Sequence, residues 1–71
     1  MATDIPIRGE TIDLDQFLKL AGIADSGGHA KHLIQSEAVQ VNGKIDTRRR
    51  ATLKVGDVVI VEGQQFRITP Q

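Results

Sequence analysis

The sequence predicts an α+β fold, a helical hairpin packed on a small twisted antiparallel β-sheet. Apolar residues recur at three- and four-residue spacing through the first half, at Leu14, Phe17, Leu18 and Ala21 and again at Ala30, Leu33 and Ile34. From Val39 onward the period changes to two, through Val41, Ile45, Leu53, Phe66 and Ile68. Between Val41 and Ile45 stands Asn42-Gly43, among the strongest short hairpin signals because such a turn needs positive φ.

Thr3 to Arg8 places Ile5 and Ile7 around Pro6 and reads as an extended piece. Proline has no N–H to donate, so this piece belongs at a sheet edge, and Gly9-Glu10 breaks it. Asp13 is positioned to cap the first helix, with Gln16 three residues on as in a capping box. Gly22 supplies a left-handed exit. After Ile23-Ala24-Asp25, either Ser26 or Asp25 caps the second helix, whose stripe leaves Lys31, His32 and Gln35 outward. Gly27 and Gly28 keep the first N–H groups of that helix uncovered, at the positive end of its dipole. A plain flexible start with no ligand fits the same residues.

Beyond Glu37-Ala38, a strand with Val39 and Val41 turns at Asn42-Gly43. Asp46-Thr47-Arg48-Arg49-Arg50 has no apolar side chain and is expected to be exposed throughout. Ala51 to Val55 returns to the core, with Leu53 and Val55 as inward candidates. Gly56-Asp57 turns, and Val58–Val61, the most apolar run in the chain, is expected to be the central strand. Glu62-Gly63-Gln64 turns again, Gln65 to Thr69 directs Phe66 and Ile68 inward, and Pro70-Gln71 ends the domain.

At 71 residues the chain makes one domain, residues 1–71, with a core near the lower limit of self-sufficiency. Cysteine is missing, which excludes a disulfide framework and a thiolate metal site. The N-terminus lacks the pattern of a secretory signal and no apolar run reaches membrane-spanning length, so a cytoplasmic protein without a membrane partner is expected. The formal net charge is +0, yet the signs are segregated. Residues 1–25 sum to −3, residues 26–54 to +4 and residues 55–71 to −1. A basic middle matters more to a polyanion than the total does, although the same charges could simply solvate a surface.

The residues argue against catalysis. His29 and His32 stand at i, i+3 with no third histidine or cysteine, and read as plain surface residues rather than a metal pair. Ser26-Gly27-Gly28 lacks the lysine spacing of a phosphate-binding nucleotide loop. No enzyme activity, cofactor or metal is expected. For nucleic acid, the chain has no tryptophan or tyrosine, and both phenylalanines, Phe17 and Phe66, fall on core faces. Base stacking on exposed aromatics is therefore not on offer. Neither helix is long or basic enough to read a DNA major groove. Recognition of folded RNA by shape and phosphate remains, and the planar fork of arginine suits it.

One further pattern narrows the class. Ser26-x-x-x-Ala30-Lys31-x-Leu33-Ile34-x-x-x-x-Val39-x-Val41-Asn42-Gly43, with Arg48-Arg49 and Leu53-x-x-Gly56-Asp57-x-Val59 beyond it, resembles the S-four-type RNA-binding domain (the αL motif). Leu18-Lys19-Leu20, Ser26-Gly27 and Thr47-Arg48-x-Arg50 are similar to its small stand-alone bacterial YbcJ-like group. The resemblance covers about Leu14 to Ile68. It implies RNA held by the second helix and the following hairpin, through Lys19, Ser26, Gly27, His29, Lys31, Arg48, Arg49 and Arg50, with Lys44 and Lys54 beside them. It also implies ribosomal or transfer RNA as partner, with the ribosome or a separate RNA-modifying enzyme as the wider context, and a monomeric protein. Two positions depart from the family pattern: Gly27 replaces an arginine found in many members, and Glu37 stands where glycine is expected between helix and strand. The competing readings are a module that binds an acidic protein and one that targets a separate enzyme to RNA.

Overall fold

The computed structural model describes residues 2–71. In chain order the elements are β1 (Ala2–Ile7), β2 (Thr11–Asp13), α1 (Leu14–Leu20), α2 (Gly27–Gln35), β3 (Val39–Val41), β4 (Lys44–Ile45), β5 (Thr52–Lys54), β6 (Val58–Val61) and β7 (Gln64–Pro70). Five strands form the main sheet in the order β1-β7-β6-β3-β4, and β2 pairs with β5 in a separate ladder. The run Val58–Val61 is the middle strand, as its apolar character predicts.

β3, β4, β6 and β7 pair antiparallel, but β1 lies parallel to β7 with Ile5 opposite Ile68. The sheet is therefore mixed, which corrects the all-antiparallel expectation. A parallel pair needs a long crossover, and here everything between the two terminal strands supplies it. Asp4 and Arg67 face each other across this pair in an exposed ion pair of 3.1 Å. Pro6 is in an edge strand, where a missing N–H removes no inner ladder bond. β2 has no counterpart in the sequence reading, because three residues with one apolar member, Ile12, carry no period to detect.

Leu14, Phe17 and Leu18 of α1 and Ala30, Leu33 and Ile34 of α2 are buried against Val39, Val59, Val61, Phe66 and Ile68 of the sheet. Each large apolar side chain contributes roughly 1.5–3 kcal/mol on full burial. Val55 is not among them: β5 ends at Lys54, the chain turns at Gly56 (φ 99°), and the Val55 side chain is left 39% exposed. Both dipeptide turns, Asn42-Gly43 and Glu62-Gly63, have positive φ at each residue, the signature of the mirror-image turns that match strand twist.

The helices end alike. After α1, Gly22 (φ 78°) donates to the Lys19 carbonyl and Ile23 to the Leu18 carbonyl. After α2, Glu37 (φ 65°) donates to the Ile34 carbonyl and Ala38 to the Leu33 carbonyl. These are the same Schellman closure, built once on glycine and once on a residue that carries a Cβ.

Candidate nucleic-acid interface

Ser26 begins α2 in extended conformation, and its Oγ accepts a hydrogen bond from the His29 N–H at 3.1 Å. Asp25 is not the cap; its backbone N–H donates to His29 Nδ1 at 3.2 Å. The His29 ring is thus part of the capping arrangement, with Nε2 left to face outward as the donor.

α1 starts differently from the expectation. Asp13 stands at the N-cap but its side chain makes no capping bond. Instead the Leu14 N–H donates to the Ala51 carbonyl at 2.9 Å and the Asp15 N–H to the Arg49 carbonyl at 3.1 Å. The arginine loop thereby satisfies two of the unpartnered N–H groups that every helix start presents. Gln16 completes no capping box; its N–H is taken by Asp15 Oδ1 at 2.8 Å.

The three arginines have three different surroundings. Arg48 turns back on Asp46, which accepts from its backbone N–H at 2.9 Å, its Nε at 3.1 Å and its Nη2 at 3.0 Å. These hydrogen bonds hold the Asp46 carboxyl below its ordinary range and raise the Arg48 guanidinium, while the arginine stays solvated. Arg49 donates from Nε to Asp15 Oδ2 at 3.0 Å. Its Nη2 reaches the start of α2, where a Cβ built on Gly27 would stand 3.2 Å away. Arg50 is exposed and has no carboxylate partner among the described residues. The expectation of a wholly exposed run fails at Asp46, whose side chain is only 13% exposed in its pair with Arg48, and at Arg49, which is half-buried because it spans two helix starts.

Gly27 and Lys31 are one turn apart and share a face of α2. The Arg49 guanidinium therefore lies beside the face that carries exposed Lys31. A side chain at Gly27 would need the Arg49 terminal nitrogen to give way by a few tenths of an ångström, which a flexible, partly exposed side chain can do. Lys19 is exposed in the last turn of α1. Lys44 is exposed on β4, beside an open concavity of about 650 Å³ that Arg48 also lines. Lys54 is exposed on β5, opposite Thr11. Among the described residues, no side-chain hydrogen bond or ion pair ties Lys19, Lys44 or Lys54 to the Arg49 cluster.

Two carboxylates take roles here that the sequence reading did not assign to them. Asp15, 9% exposed, holds Arg49 across 34 positions of chain. Its only local sign is a carboxylate at the margin of the α1 apolar stripe. Asp57, also 9% exposed, accepts from the Lys54 N–H at 3.0 Å and from Asn42 Nδ2 at 3.1 Å, while Asn42 Oδ1 accepts from the Val58 N–H. That latch fixes the Asn42-Gly43 hairpin against the turn at Gly56-Asp57.

Comparison with known proteins shows the family and the fold. Residues 5–69 match the S4 domain family model. The chain is 51% identical over 63 residues, 89% of both chains, to the Bacillus subtilis (strain 168) protein named "Probable ribosome maturation protein RlbA". It is 33% identical over 57 residues, 80% of this chain and 81% of the other, to the Escherichia coli (strain K12) protein named "Putative RNA-binding protein YbcJ". The solution structure of Escherichia coli YbcJ, described as revealing an αL motif involved in RNA-binding, superposes with a TM-score of 0.65 at 28% identity, over 96% of this chain and 85% of that one. The fold is also that of ribosomal protein S4e from Thermoplasma acidophilum, with a TM-score of 0.64 at 21% identity, over 83% of this chain but only 31% of that longer one.

Proposed function

The chain belongs to the S4 domain family, and we propose that it binds structured RNA without catalysing a reaction, gripping backbone phosphates with α2 and the arginine loop. One observation carries this reading: Arg49 lies between the starts of α1 and α2, on the side of α2 that bears Lys31. A surface that joins loop and helix cations can follow a phosphate backbone, which scattered lysines cannot. Arg50, Lys31, Lys19 and His29 are exposed and available to phosphate, and Lys44 and Arg48 line a concavity beside β4. Binding rather than chemistry fits the state of the polar groups. His29, Asp15, Asp46 and Asp57 are each engaged in caps, ion pairs or latches.

The name of the Bacillus subtilis relative favours ribosomal RNA, in an assembling particle, as the ligand over transfer RNA. The test is a filter-binding titration of the full chain with a ribosomal RNA hairpin, a transfer RNA, a DNA duplex and an acidic protein, each at two salt concentrations. Tightest binding to the ribosomal hairpin is expected, with a log–log salt slope of roughly −0.7 to −0.9 per phosphate contact. Lys31→Glu should weaken it without disturbing Ala30, Leu33 or Ile34, which face the core. Preference for the acidic protein, or an unchanged affinity in folded Lys31→Glu, would overturn the reading.

A further inference from the structure

The geometry points to Asp15 as a positioning residue for RNA binding: a nearly buried carboxylate that braces Arg49 so that its outer nitrogens face phosphate. This deepens the RNA-binding reading above and rests on it. Asp15 is the second residue of α1, and both of its oxygens are in use, Oδ1 by the Gln16 N–H and Oδ2 by Arg49 Nε. Its own N–H donates to the Arg49 carbonyl, so one residue fixes both the backbone and the side chain of Arg49. A guanidinium has five N–H donors in a rigid fork. With Nε directed at Asp15, Nη2 extends over Gly27, and the side chain remains 41% exposed. The brace uses one edge of the fork and leaves the other for a phosphate. An ammonium group has no such second edge at a fixed angle.

A carboxylate near a phosphate site ordinarily opposes binding, so two roles for Asp15 make opposite predictions. If it is only a nearby negative charge, neutralising it should tighten RNA binding. If it is the brace, neutralising it should weaken binding although the protein gains positive charge. Asp15→Asn separates them. An amide accepts at one atom only, so Gln16 and Arg49 can no longer both be served, and whichever way it turns, the charge-assisted bond that holds the guanidinium is lost.

The experiment measures affinity for a ribosomal RNA hairpin and for a generic RNA duplex, using wild type, Asp15→Asn, Arg49→Lys, Arg49→Ala and the Asp15→Asn/Arg49→Ala double variant. Thermal melts establish that each is folded. Asp15→Asn and Arg49→Lys should each lose roughly tenfold in affinity, the scale of one charge-assisted hydrogen bond. In the Arg49→Ala background, Asp15→Asn should change affinity by less than about twofold, because no guanidinium remains to be positioned. Wild-type or tighter binding by Asp15→Asn overturns the assignment, as does an equal loss with and without Arg49. Should Asp15→Asn not fold, Arg49→Lys decides, since it keeps the charge and the Asp15 partner: full affinity there overturns the brace. Absence of wild-type binding to both RNAs overturns the RNA-binding reading and this inference together, an outcome distinct from the others.

Discussion

Glu37→Gly should stabilise the protein, and the molecule carries its own control. Glu37 closes α2 at φ 65°, in the hydrogen-bonding pattern that Gly22 adopts after α1 at φ 78°. A Cβ in the left-handed region costs roughly 1–2 kcal/mol. Glycine returns roughly 0.4–1 kcal/mol of that through the greater freedom of its unfolded chain. Removing a carboxylate from the negative end of a helix contributes a further gain of roughly 0.3–1 kcal/mol at low salt. The net is a stabilisation of about 1 kcal/mol, which for a domain of this size raises Tm by roughly 4–8 °C. Thermal unfolding followed by circular dichroism measures it. Glu37→Gln serves as the charge control and should give only the smaller, salt-sensitive part. Gly22→Ala, forcing a Cβ into the equivalent position, should lower Tm. A Glu37→Gly protein that melts at or below wild type refutes the strain argument, and so does a Glu37→Gln protein that reproduces the whole gain.

Other substitutions probe the remaining contacts. Arg49→Ala should cost roughly 1–3 kcal/mol in urea denaturation, because it leaves the nearly buried Asp15 carboxylate without its partner. Arg50→Ala should stay within about 0.5 kcal/mol of wild type in the same assay, the side chain being exposed and without a carboxylate partner among the described residues, yet still weaken RNA binding. Asp57→Ala removes the acceptor for Lys54 and Asn42 and should cost roughly 1–3 kcal/mol. A double-mutant cycle with Asn42→Ala should then show coupling above about 0.5 kcal/mol. Stability should also fall in acid through Asp46. Its carboxyl is held below the ordinary value by the Arg48 hydrogen bond, so its contribution is complete above the unfolded carboxylate pKa of about 3.9 and disappears as pH drops through the lower folded value. Asp46→Asn should flatten that acid limb in a pH series of melts, and an unchanged limb would remove Asp46 from the account.

The loss expected for Arg49→Ala shows how differently three adjacent identical residues behave. Read as sequence, Arg48, Arg49 and Arg50 form one exposed cationic run. In the fold Arg48 is clamped by a neighbour two residues away, Arg50 is solvated, and Arg49 is bound to an acid 34 residues earlier. The family resemblance identified all three as contacts, and only Arg50 and the outer edge of Arg49 are uncommitted to carboxylates among the described residues. An RNA phosphate approaching Arg48 must share it with Asp46.

Local chemistry is what the sequence by itself determined. The helix stripes at Leu14, Phe17, Leu18 and at Ala30, Leu33, Ile34, the Gly22 exit and the Asn42-Gly43 turn each depend on residues a few positions apart. Such short-range preferences survive reading in one dimension, and so did the central place of Val58–Val61, whose apolar run permits nothing else. The parallel register of β1 on β7, the β2–β5 ladder, the capping of α1 by the Arg49 and Ala51 carbonyls, and the Asp15–Arg49 brace were decided by tertiary structure alone. Each joins groups that are distant along the chain. Backbone donors and acceptors are the same for almost every residue, so they carry no sequence signal until folding brings them into register. Asp15 had several cations to choose from, and only packing of α1 against the arginine loop selected Arg49.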